Sequence, residues 1–163
     1  MLQEAADEGF EWAAVRLGWM FEYGHHVAKD ADKAIHYYRI ASTADEPDTF
    51  YRMGGLLQTM EKKADAADAF EKGAMRGHIG CMYWFGWGLF ENADCDADRR
   101  KGRELIQNAA ARGHVWAKHR LISIEWRETS SPFRKMRLAA EIAICAALAF
   151  KAAFRDPYPA ELH

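Results

Sequence analysis

The sequence predicts an all-α fold: a right-handed α–α superhelix, or solenoid, of about four helix-turn-helix repeats with a long apolar C-terminal helix. Three observations carry this. First, the chain repeats itself: shifted by 104 positions, residues 1–17 fall on 105–121 with eight identities, among them Gly9/Gly113, Trp12/Trp116, Arg16/Arg120 and Leu17/Leu121. Second, Gly18, Gly54 and Gly86 key intervening copies at spacings of 36 and 32 residues, periods typical of helical arrays. Third, each copy reads as two amphipathic helices: Ala13, Leu17, Met20, Phe21 and Gly24 recur at helical spacing, and so do Ala34, Tyr37, Tyr38 and Ala41.

Residues 1–8 align with the end of a second helix, 105–112, so the chain opens inside a repeat. In copy one, 9–44, Gly24 suits a helix C-terminus because glycine takes positive φ without steric cost. Asp30 is placed to cap the second helix, its carboxylate facing free N–H groups. Gly18 lies mid-helix, where glycine costs about 1 kcal/mol relative to alanine, so its recurrence argues for close helix–helix approach. Copy two, 45–76, starts its first helix at Pro47, and its interhelix loop is four residues shorter. In copy three, 77–112, Asn92 stands for the loop glycine, a role asparagine fills through the left-handed region. Copy four, 113–154, carries Ile122 in place of the glycine and begins its last helix at Ser131-Pro132. A short tail, 156–163, follows the single helical-repeat domain of 1–155.

The chain has 163 residues, half of them apolar and 28% charged, a globular composition with enough length for a sizeable core. A net charge of −2 gives no general case for nucleic acid. Cys81, Cys95 and Cys145 are too few for a disulfide framework and lack Cys-x-x-Cys spacing, which suits a reducing compartment. No basic start leads into an apolar run, so a cytoplasmic location is expected.

Ala13, Leu17-Gly18, Phe21, Gly24 with Val27, Asp30, Lys33-Ala34 and Tyr38 with Ala41 together resemble the Sel1-like repeat, a relative of the tetratricopeptide repeat. His26 replaces the second loop glycine of that pattern, and copy two looks more like an ordinary tetratricopeptide repeat. The resemblance covers about residues 1–150 and implies a scaffold for protein–protein contact rather than an enzyme. A cysteine-rich branch of the family has been linked to β-lactam binding, and a hydrolase of that kind is the remote alternative. Three cysteines without paired spacing depart from it.

No catalytic residue, cofactor or metal site is expected. His25-His26 lacks a third ligand at zinc-like spacing, and Cys81 and Cys145 fall at small core positions. The stronger signal is a row of rings on the first helices. Trp12, Trp19 and Tyr23 lie opposite the Ala13–Leu17 stripe, and equal offsets give Tyr51, then Tyr83, Trp87 and Phe90, then Trp116 and Trp126. Stacked first helices would share these rings in one concave groove for a peptide or protein segment, or pack them against one another. Interspersed Glu22, Gln58, Glu91 and Arg127 favour the groove. The last helix adds a small apolar face, Ala139, Ala143, Ala146 and Phe150, suited to a twin chain or a partner helix. Membrane association through this helix is the disfavoured alternative, because Leu138, Ile142 and Cys145 are needed as core and Glu141 and Lys151 interrupt the apolar run.

Overall fold

A computed structural model describes residues 1–42 and 46–155, with side chains of the last helix described to residue 148. The expected tail 156–163 and the boundary between copies one and two, within 43–45, lie outside the described residues. Among the described residues nine α-helices follow one another: α1 Leu2–Asp7, α2 Glu11–Tyr23, α3 Ala31–Ala41, α4 Pro47–Thr59, α5 Lys63–Met75, α6 Ile79–Glu91, α7 Asp96–Ala111, α8 Val115–Glu128 and α9 Pro132–Arg155. From α2 onward they form four pairs, and each helix packs mainly on its sequence neighbours, as an α–α solenoid requires. The short α1 packs on α2 and buries Ala6, the place of a preceding second helix.

Helix boundaries follow local chemistry. Gly24 ends α2 at φ 77°, and its N–H donates to Met20 O over 2.9 Å. His26, which stands for the second loop glycine, also adopts a left-handed φ of 60°. Asp30 caps α3 as expected, accepting from Lys33 N–H at 3.0 Å, while its own N–H ties the loop back to Phe21 O. Asn92 departs from expectation. Its φ is −102°, so it does not use the left-handed region, and its side-chain amide instead donates to Gly88 O at 3.0 Å.

Two caps were not foreseen. His78 and His114 each follow a glycine of positive φ, and each accepts through Nδ1 from a backbone N–H three residues on, Cys81 at 3.0 Å and Ala117 at 3.1 Å. Both imidazoles must be neutral at Nδ1 to accept. Both also receive a ring from the preceding pair: Tyr51 lies 4.8 Å from His78, and Tyr83 stacks on His114 at 4.7 Å.

The core consists of three clusters strung along the array, the largest around Tyr38, Phe50, Leu57, Phe70 and Cys81. Its recurring device is a glycine that admits the partner helix. A Cβ on Gly18 would stand 2.6 Å from Tyr38 Cδ1, and one on Gly54 would stand 2.5 Å from Phe70 Cε1. In the third pair the approach is tighter still, since a Cβ on Gly102 would meet Gly86 O and Phe90 N, both at 2.6 Å. Cys81 is fully buried against Gly73, and burial together with Asp48 pushes its thiol up to about 12. Tyr38 is fully buried and carries its hydroxyl to the join between the first and second pairs. Its hydroxyl donates to Glu22 Oε2 at 2.5 Å, and Arg52 of the next pair lies 3.6 Å from that oxygen. Burial, then the hydrogen bond to Glu22, hold the phenol well above its ordinary range. In the last pair, Leu138 is buried against α8 with Ile142 and Cys145 half-buried beside it, the stripe expected of a second helix.

Two glycines of similar sequence context separate packing from propensity. Gly18→Ala should lower the stability measured by urea denaturation by about 1–3 kcal/mol through overpacking. Gly88→Ala, whose Cβ meets nothing within 4 Å, should raise it by about 0.5–1 kcal/mol. A rise in both would show that Gly18 holds no necessary contact.

The His114 cap sets a pH dependence. Burial, and secondarily the charge of His78, lower its folded pKa below the ordinary 6.5. The unfolded chain then binds the proton first, so the cap's contribution is complete above pH 6.5 and declines as pH falls through the window beneath it. His114→Asn keeps an N-cap without the titration. Its urea midpoint should therefore fall less than the parent's between about pH 7.5 and pH 5, and equal falls would refute the assignment.

Candidate partner-binding site

An open cleft of about 630 Å³ lies between the second and third pairs. One wall is the end of α4, the loop 60–62 and the first turns of α5, which contribute Gln58, Glu61, Lys63, Ala66, Ala67 and Phe70. The other is α6, with Trp84, Phe85, Trp87, Gly88, Leu89 and Glu91, extended by Asn92 and by Asp98 of α7. Trp84 stacks on Phe70 across the pairs, with centroids 6.0 Å apart at 18°. The cleft sits beside the interhelix loop of the second pair, which has the same length as that of the fourth, 129–131. Three residues, 60–62, join α4 to α5, against seven, 24–30, between α2 and α3, and four, 92–95, between α6 and α7. Within this loop Glu61 adopts φ 60°, a conformation that L side chains other than Asn and Asp rarely adopt.

The rings expected to share a groove are distributed along the array instead. Trp12, 65% exposed, lines a separate shallow depression with Phe10 and Val15. Trp19 stacks on His25 at 4.6 Å beneath Arg16 and tilts against the exposed Tyr23. Tyr51 is half-buried between Phe70 and His78. Tyr83 corrects the expectation most clearly: at 5% exposure it is packing between neighbouring first helices. Trp87 alone of the expected row lines the cleft. Arg120 of the next pair lies 3.7 Å from its ring centroid, and Phe90 is stacked 6.0 Å away. Arg99 and Arg103 flank Phe90, and Trp116 and Trp126 are exposed on α8. Glu22 is withdrawn from the surface as well, only 16% exposed between Tyr38 and Arg52.

Trp84, Phe85 and Phe70 were missed because the row was drawn at fixed offsets from Trp12 and Trp19. Trp84 occupies the offset of Arg16, Arg52 and Arg120, and the break in that arginine series was the available signal. On α9, Ala139, Ala143 and Ala146 are exposed as expected, whereas the side chain of Phe150 lies outside the described residues. Ile144 and Leu148, both more than half exposed, lie about 140–180° round the helix from Ala139 and were not anticipated. Cys95 is exposed at the start of α7, where its Sγ lies 3.2 Å from Asp98 Oδ2. Among the described residues no group of His, Cys, Asp and Glu could hold a metal ion, and no helix is long and apolar enough to cross a membrane.

Residues 13–46 and 78–114 match the Sel1 repeat family. These are the first and third copies; the short-looped second is not matched. A Sel1 repeat protein from Oxalobacter formigenes superposes with a TM-score of 0.70 at 22% identity, over 91% of this chain and 62% of its own. A protective antigen of uropathogenic Escherichia coli strains, displaying an SLR fold, gives 0.71 at 18% identity, over 91% of this chain and 32% of its own. The chain thus spans less than two thirds of either relative. No curated protein matches it in sequence. Two matched repeats, glycine-keyed helix pairs and the shared solenoid agree: the chain carries two Sel1 repeats within a solenoid of the SLR fold.

Proposed function

We propose that this protein is a non-catalytic scaffold that holds a segment of a partner protein in the cleft between the second and third pairs. Sel1 repeat proteins serve in general as protein-interaction scaffolds. The observation that carries the reading to this site is the cleft itself. Its volume lies in the range of ligand pockets, and its floor of Phe70, Trp84, Phe85 and Trp87 comes from two repeats. Half-buried aromatics with amides and carboxylates around them are the composition of an interaction hot spot. The remaining exposed rings, Trp12, Tyr23, Trp116 and Trp126, extend the surface available to a longer partner.

Gly88 allows a test that spares the fold. It lines the cleft, its Cβ would meet nothing, and leucine is the better helix former. Peptides selected from a displayed library against the parent should lose affinity by at least about tenfold on Gly88→Leu, equivalent to about 1.4 kcal/mol, with melting unchanged or raised. Selected peptides that bind parent and variant equally would sink the cleft as the site.

A second reading concerns α9. The exposed Ala139, Ala143 and Ala146, with Ile144 and Leu148 further round, leave an end face unlike the polar cap that a repeat array needs. We infer that a second copy of the chain covers it. Sedimentation should show a dimer that Ala146→Glu returns to monomer. A monomeric parent that floats with liposomes would favour a membrane surface instead.

A further inference from the structure

The charge around the cleft names the partner's chemistry. Resting on the reading of this cleft as a peptide site, we propose that it accepts a basic segment of a partner protein: the aliphatic stem of an arginine or lysine lies along the rings, and its cationic head meets the rim carboxylates.

Glu61, Glu91 and Asp98 line the cleft against one amine, Lys63. Two further cations lie over cleft rings: Lys101, whose Nζ is 5.5 Å from the Phe85 centroid, and Arg120, whose guanidinium is 3.7 Å from that of Trp87. Several carboxylates elsewhere are met by the chain's own cations: Glu22 by Arg52, Glu125 by Arg134 and Arg137, Glu128 by Arg103, Asp32 by Lys62, Asp68 by Lys72. Among the described residues Glu61 and Glu91 hold no such partner, and Asp98 meets only the Cys95 thiol. Carboxylates on the wall of a half-enclosed, low-dielectric cleft focus a negative potential there, which draws in a cation.

The second observation is the backbone at Glu61. At φ 60° an asparagine or glycine would sit with less strain, yet a carboxylate is carried there onto the rim. A strained non-glycine residue beside an open aromatic cleft fits a side chain held for binding. The apolar floor suits the rest of such a ligand, since long cationic side chains lay their methylenes along apolar surface and keep the charge at its edge. The chain does this to itself nearby, where Arg120 lies over Trp87.

The test uses three acetylated peptides with one leucine and tyrosine frame, in which alternate positions are arginine, glutamine or glutamate. Binding is followed by fluorescence anisotropy against the full chain. The arginine peptide should bind most tightly and weaken as salt rises from about 50 to 300 mM. Glu61→Asn and Glu91→Gln should each weaken it by about two- to fivefold, and more together. Glu61→Asn should also melt no lower than the parent, and Gly88→Leu should abolish binding. Equal binding of all three peptides, lost in Gly88→Leu, would overturn the charge assignment while leaving the cleft as a peptide site. Tighter binding of the glutamate peptide would overturn it in the same way. Arginine-peptide binding that survives Gly88→Leu places the basic segment elsewhere and overturns the proposal. If the arginine peptide fails to bind while library-selected peptides still do, only the charge assignment falls; if neither binds, both readings fall.

Discussion

A missing methyl group sets the spacing of this molecule. Where α2 crosses α3, Gly18 leaves room for the Tyr38 ring, and where α4 crosses α5, Gly54 does the same for Phe70. In the third pair the ring is replaced by backbone: Gly102 lies against Gly86 O and Phe90 N, so two helices touch main chain to main chain. Interiors this dense transmit small changes of volume, and one carbon at any of these crossings must displace a buried ring or a helix. The cost of glycine to the isolated helix is offset by the burial this closeness allows. Tyr38 and Phe70, the rings so admitted, are also the centre of the largest core cluster.

The contacts that join one pair to the next are more varied. Tyr38, Glu22 and Arg52 join the first pair to the second by a hydrogen bond and an ion pair largely screened from water. Tyr51 and Tyr83 each pass a ring forward to the histidine that caps the next first helix. The third pair is joined to the fourth by Arg120 on Trp87 and by Arg103 with Glu128. A capping imidazole that is also a packing surface couples the start of one helix to the middle of its predecessor, which orients the stack as well as binding it.

Periodicity exposed the repeat and nearly every helix, because glycine keys, Asp30 and Pro47 act locally. The same periodicity misled at the surface. Equal offsets placed Trp19, Tyr83 and Trp87 in one row, but a ring at the Tyr83 position is taken up by the next helix, whereas Trp87 stays at an open edge. Whether a ring binds or packs depends on what the neighbouring copy places opposite it, and that is tertiary. The histidine caps were illegible for a related reason. Histidine is an uncommon cap, and only the geometry of the preceding glycine turns Nδ1 toward the helix.

The short loop of the second pair carries a broader meaning. Packing mainly between sequence neighbours confines the effect of four absent residues to their own surroundings. The recess beside this loop has core residues for its floor, Phe70 with Trp84 and Phe85, and loop residues for its lip. Arrays built like this can acquire or close a hollow by trimming or lengthening one connection, with the chemistry of its lip decided separately by whichever side chains the trimmed connection leaves standing.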